Sequence, residues 1–201
     1  MTMLAALNLH YDRLADRGEA PPFGYSTEGI GFALILRPDG SLSEVRDLRD
    51  RTGRKRPPRS VTVPQSFKRS GTVPRAFFLW DNAKNVLGLG KDKASGAMAR
   101  FDAHFAAFRD LHERTLTGTD DPGLLALLAF LSWWTPDRFQ PGLFTDQILG
   151  QNLAFAFEPD QQGPGVRFLH DGTEARRIWQ RELAAATRIT GTCLVTGRQA
   201  L

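Results

Sequence analysis

Apolar positions at the start of the chain recur three and four residues apart, with Leu4, Leu7 and Leu14 and Tyr11 between them. That period lines one face of an amphipathic helix, and Gly18 followed by Pro21 and Pro22 ends it. An apolar run, Gly31 to Leu36, then meets the turn Arg37-Pro38-Asp39-Gly40 and the alternating run Leu42 to Val45. This is the pattern of a β-hairpin, with glycine supplying the positive φ that a tight turn needs. A short strand is expected at Val61 to Val63, and Val86 to Gly90 reads as a short buried strand ending at glycine.

The second half changes period. Phe101, Phe105, Phe108 and Leu111 predict a helix over about 94–115. Asp120-Asp121-Pro122 carries a cap and a first-turn proline, and opens an apolar segment to Leu131 that belongs in the core. Pro136 stops that helix. Leu153 to Phe157 and Val166 to Leu169 read as a strand pair, followed by a helix over about 172–186 and a strand from Thr192 to Val195. The sum is α+β: small mixed sheets flanked by several helices in one compact domain. Its parts are a basic loop region at about 46–93, a helical part at about 94–150, and a strand–helix–strand part at about 151–201.

Composition removes several function classes. The 201 residues are 41% hydrophobic and 24% charged, ordinary for a globular domain. Cys193 is the single cysteine, so an intrachain disulfide and a thiolate-rich zinc site are both excluded. No apolar run approaches the roughly 18–20 residues of a membrane span, and the start of the chain lacks the basic segment of a signal peptide. A reduced cytoplasmic setting is expected, with no membrane partner.

Catalytic patterns are missing where the usual enzymes need them. Gly90-Lys91 is followed by Asp92, and Asn85 stands where a Walker loop needs its first glycine. His10, His104, His112 and His170 form no ligand pair at helical spacing. Asp120 and Asp121 are better explained as helix caps than as metal ligands. Cys193 sits in an apolar pattern, where a buried thiol is inert. The expectation is a protein without catalysis and without a cofactor.

The formal charge is only +4, so its distribution matters more than its total. From Arg46 to Lys68 arginine and lysine heavily outnumber the two aspartates, and Pro57, Pro58 and Pro64 forbid a long helix. The tract continues through Arg69, Arg75, Lys84, Lys91 and Lys93. Guanidinium forks on proline-stiffened loops suit phosphate contact, and the density favours nucleic acid over a merely solvated surface. Phe67, Phe77, Phe78 and Trp80 lie beside the tract. Stacking on bases is one use for them, but anchoring the loop to the core is preferred for Phe78, Leu79 and Trp80. Composition does not choose between DNA and RNA.

Several separate motifs then appear in order: FALILRPDGSLSEVRDLRD, RPPRSVTVPQSFKRSG, FLWDNAKNVLG, DDPGLLALLAFLSWW and CLVTG. Together they resemble the large-subunit family of the type I-C CRISPR Cascade complex, over nearly the whole chain from about Met3 to Gly197. The resemblance covers the N-terminal portion of that family, which implies that this is the N-terminal domain of a longer subunit. It also implies a non-catalytic role: binding double-stranded DNA, reading the protospacer-adjacent motif and helping to begin strand separation. Implied partners are the 5′ handle of a guide RNA, other Cascade subunits, a recruited helicase-nuclease and phage anti-CRISPR proteins. The implied DNA contacts are Arg54, Lys55, Arg56, Arg59, Lys68, Arg69, Ser70, Arg75, Lys84 and Lys91. Lys68, Arg69, Asn82 and Asn85 are the candidates for reading the motif. The chain departs from the family at Phe77, where asparagine is common, and at Asn85. An assembly role, with the basic tract on RNA or a neighbouring subunit, is the alternative.

Overall fold

The computed structural model describes residues 2–69, 71–140, 142–159, 165–186, 191–193 and 199–200. In chain order the elements are α1 (Met3–Asp16), β1 (Tyr25–Ile30), β2 (Phe32–Leu36), β3 (Leu42–Asp47), β4 (Arg59–Pro64) and β5 (Trp80–Asn82). They continue as α2 (Ala83–Val86), β6 (Leu89–Lys91), β7 (Met98–Arg100), α3 (Asp102–Thr115) and α4 (Pro122–Trp133). The last are β8 (Asn152–Phe157), β9 (Arg167–Phe168), α5 (Thr173–Ala186), β10 (Gly191–Thr192) and β11 (Gln199–Ala200). The α+β expectation is met: five helices surround small mixed sheets.

The main sheet is built on β8. It pairs in parallel with β2, which forms the expected antiparallel hairpin with β3. On its other edge β8 pairs antiparallel with β5 through Asn152 to Ala154, and with β9 through Ala156 and Phe157. The register aligns Phe32 with Leu153, Leu34 with Phe155 and Leu36 with Phe157. Those six side chains share one face and join the large core with Phe105, Phe108, Leu124, Leu127, Phe130 and Leu131 from α3 and α4. The opposite face carries Ala33, Ile35, Ala154 and Ala156, all buried. There Ala154 clusters with Ile30, Val63 and Trp80. Burial on both faces is why β2 and β8 read as unbroken apolar runs instead of alternating ones.

Gly40 shows why the hairpin turn needs glycine. Its φ is +80°, and a Cβ there would sit 2.6 Å from Ala129 Cβ and 2.7 Å from Phe130 N, so the turn packs directly on α4. At the start of α4, Asp121 accepts hydrogen bonds from Gly123 N and Leu124 N at 2.9 and 3.0 Å. The capping reading of Asp121 is correct.

Two expectations need correction. The helix read from about residue 94 begins at Asp102. Before it, Asp92 Oδ1 accepts from Ala94 N and Ser95 N, Gly96 takes φ +70°, and the chain turns into β7, paired with β6. The strand read at Val86 to Gly90 is split: Val86 closes α2, Gly88 turns at φ +68°, and only Leu89–Lys91 is strand. The expected amphipathic helix at the start of the chain is α1, none of whose residues is fully buried. Of the last predicted strand, Leu194 and Val195 lie outside the described residues. The elements β1, β5, α2, β7 and β11 were not anticipated. β1 forms a separate ribbon with β4, Ile30 facing Arg59 and Tyr25 facing Pro64.

Candidate nucleic-acid interface

The basic tract divides by what each cation touches. Arg46 pairs with Glu44 at 2.7 Å. Arg49 makes two 2.8 Å bonds to Asp47, a third to Gln147 Oε1, and lies over the Phe32 ring. The Arg49 guanidinium holds the Asp47 carboxyl at about 2. These two arginines serve the fold. Beyond them the chain loops out, closed at its base by Leu48 N to Gly31 O and Asp50 N to Pro57 O, at 2.9 and 3.0 Å. Arg51, Arg54, Lys55 and Arg56 on this loop, and Arg59 at the first position of β4 just beyond it, are all exposed. Among the described residues none of the five has a carboxylate partner. Arg51 has the same standing as the four arginine and lysine positions expected there, and nothing but its place in the tract signals it.

The second loop, before β5, is held from beneath. Asp81 is fully buried and accepts from Phe77 N at 2.9 Å, from Asn82 N at 2.7 Å, and from the Arg69 guanidinium in a short ion pair. Burial pushes the Asp81 carboxyl up, and Arg69 opposes that shift. Arg69 Cζ lies 3.8 Å over the Phe77 ring and Arg75 Cζ lies 4.2 Å over Phe67. Phe67 meets Phe77 edge-on, and Phe77 packs on Trp80, whose Nε1 donates to Pro64 O at 2.8 Å. Phe78, Leu79 and Trp80 are buried, so they anchor the loop as expected.

Leu79 takes φ +64°, an unusual conformation for a residue with a branched side chain. Its N–H donates to Nε2 of the buried His112 at 2.9 Å, while His112 Nδ1 lies 2.7 Å from Phe108 O. The ring must therefore be neutral, with its proton on Nδ1. Burial pushes it down to about 4.

The expected contacts fare differently in this setting. Lys68 and Arg75 are exposed at the loop surface, and Lys91 is exposed at the end of β6. Lys84 is half-buried, with Nζ 4.3 Å from the Phe101 ring centroid. Ser70 lies outside the described residues. Arg69 is tied to Asp81, a partner 12 residues on that no local pattern announces. Asn82 Oδ1 caps α2 by accepting from Lys84 N and Asn85 N. Asn85 is 1% exposed and donates from Nδ2 to Arg75 O at 3.0 Å. As a base reader Asn85 is a correction, since its amide is spent inside the loop.

Among the described residues no three His, Cys, Asp or Glu side chains are grouped to hold a metal ion, and no helix is long and apolar enough to cross a membrane. A cavity of about 410 Å³ lies away from the basic loops, between the end of α1, Tyr25 and Arg176. A second hollow of about 400 Å³ runs along Phe67, Pro74, Arg75 and Ala76 against Leu111 and Arg114 of α3. Two cationic loops thus stand over an aromatic base, an arrangement of charge that suits contact with a polyanion.

The family model of the CRISPR-associated protein Cas_Csd1 matches residues 7–201, and the chain belongs to that family. It is a CRISPR-associated Cascade component of the kind whose motifs run through its sequence. No curated protein matches it.

Proposed function

We propose that this chain is a non-catalytic part of the large subunit of a type I-C CRISPR surveillance complex. It binds duplex DNA, recognises the protospacer-adjacent motif and helps strand separation begin. The observation that carries this reading is the segment 51–59, a loop and the first residue of β4, whose five exposed cations form no ion pair among the described residues. Uncompensated cations on a stiff loop gain by replacing the counterions of a phosphate backbone. Lys68 and Arg75 occupy the neighbouring loop, whose rigid mounting suits contacts that must discriminate between bases. The guide-RNA handle, other subunits and a recruited helicase-nuclease are the partners this role requires, and a cation-rich surface of this kind is one an anti-CRISPR protein would block.

The test uses the complete complex and duplexes with randomised motif bases. Lys68→Ala/Arg75→Ala is expected to flatten the base preference. Arg54→Ala/Arg56→Ala is expected to weaken all duplexes alike and reduce the log–log salt slope by about 2. Unchanged duplex binding with poor assembly of the complex would instead establish the second reading, an assembly module. That reading is favoured by α1, whose Leu4, Leu7 and Tyr11 stand exposed.

A further inference from the structure

The face of the main sheet turned away from the large core is low in the middle and high at its sides. Residues in register on neighbouring strands share a face. Arg46 of β3, Ala33 of β2, Ala154 of β8 and Trp80 of β5 therefore form one row across it. The next row is Glu44, Ile35, Ala156 and Phe168. Three of the four central positions are alanine, so the two inner strands leave space above them. At one end the ribbon of β1 and β4 takes up that space, where Ala154 clusters with Ile30, Val63 and Trp80. At the other end a hollow of about 200 Å³ remains, floored by Ala33, Ile35 and Ala156.

Its walls are apolar and its mouth is cationic. Leu48, Val166 and the Phe168 ring stand around the floor, all half-buried. Phe168 is steadied by His170, stacked on it with centroids 5.0 Å apart. The exposed lining residues are Arg46 and Arg59, and no carboxylate lines the hollow. Glu44 answers Arg46 at 2.7 Å. Arg59 forms no ion pair among the described residues and ends the cationic segment that begins at Arg51. A chamber of this kind suits an apolar group joined to a single anion. A nucleotide has that build, with the faces of its base apolar and its phosphate one bond system away. An aromatic side chain of a neighbouring protein would fill the hollow but leave Arg59 unanswered. Apart from the two guanidinium groups the lining side chains carry no polar atom, so the chamber accepts a base without reading which base it is.

We propose that this hollow seats one unstacked base of the target duplex as its strands begin to part, with the adjoining phosphate on Arg59. This rests on the reading that the segment 51–59 meets duplex DNA. It adds to that reading a place where the cost of unstacking is offset, because a base withdrawn from the stack regains apolar contact against Ala156, Val166 and Phe168.

The test uses the complete complex and a duplex matched to the guide only in the first base pairs beyond the motif, so that the strands stay paired elsewhere. Aminopurine, which brightens when it leaves the stack, is placed at each position in turn. In wild type one position should brighten severalfold on binding. Ala156→Leu fills the hollow from its floor and should return that position to the signal of the free duplex, with the unfolding midpoint unchanged or raised. It should also weaken duplex binding on the order of tenfold, the loss expected for one base contact. Val166→Met fills the hollow from its wall and should act in the same direction, which decides the matter if Ala156→Leu fails to fold. Arg59→Ala should reduce the brightening and lower the salt slope by about 1, whereas Arg54→Ala should lower the slope alone. If no position brightens in wild type, or if the brightening is the same in the folded filling variants, the seat is overturned. The DNA-binding reading then still stands provided that Arg54→Ala/Arg56→Ala weakens duplex binding, and falls with the seat if that variant binds as wild type does. Filling variants that impair guide-RNA loading or assembly and leave duplex binding intact overturn the seat and give the hollow to RNA or to a neighbouring subunit.

Discussion

At the scale of single residues, two buried polar groups fix the loop that precedes β5, and each makes a separate prediction. His112 accepts from Leu79 N only while neutral. Its unfolded value is near 6.5 and its folded value about 4. Between those values the unfolded chain binds a proton that the folded one does not, so stability falls as pH falls and levels out below about 4. From pH 6.5 to 4.5 this single group should cost about 2 kcal/mol. Urea unfolding at both pH values, for wild type and His112→Gln, checks it: the variant should start less stable and lose less. Asp81 gives the second prediction. Arg69→Ala strands a buried carboxylate and should cost about 3 kcal/mol, whereas Asp81→Ala leaves Arg69 a path to water and should cost less. A double-mutant cycle should show the pair lost for less than the sum of the two. The basic tract and the family resemblance make Arg69 a candidate DNA contact; its bond to Asp81 is not legible in the sequence, because only folding brings the carboxylate of another element beneath the guanidinium.

Among elements, the hairpin of β2 and β3 was legible because turn chemistry and apolar pattern agree at Asp39-Gly40. Gly40→Ala should therefore break it, since φ +80° and a Cβ 2.7 Å from Phe130 N are both intolerable. A loss of about 2 kcal/mol or more is expected in chemical denaturation. The start of α4 was legible for a similar reason, with Asp121 and Pro122 acting within one turn. β1 was not legible: Tyr25 to Ile30 is mostly half-buried and lies in a two-stranded ribbon, so no alternation marks it. The beginning of α3 was misplaced because the helical spacing of its phenylalanines carries no lower limit. What ends the segment upstream is the Asp92 turn, which is read through side-chain bonds and not through hydrophobicity.

Over the whole molecule, the arginine and lysine of one continuous tract serve two purposes that composition cannot separate. Arg46 and Arg49 complete ion pairs at the end of β3, and Arg49 also ties the hairpin to Gln147 and Phe32. Arg54, Lys55, Arg56 and Arg59 touch no carboxylate among the described residues. Fold and function are thereby assigned to neighbouring cations by their partners. The consequence is measurable by comparing two sets of substitutions. Replacing Arg54, Lys55, Arg56 and Arg59 together by glutamine should leave the unfolding midpoint nearly where it was, because among the described residues none of the four side chains makes a hydrogen bond or ion pair that would be lost. The same variant in the complete complex should lower the log–log salt slope for duplex binding by about 3 to 4. Arg49→Gln should do the reverse. It breaks a bidentate pair with an Asp47 held at about 2, lowers the midpoint, and leaves the salt slope of the folded complex nearly unchanged. If the glutamine variant instead unfolded early with its salt slope intact, the loop would belong to the fold and the cations that meet nucleic acid would have to be sought elsewhere on the chain.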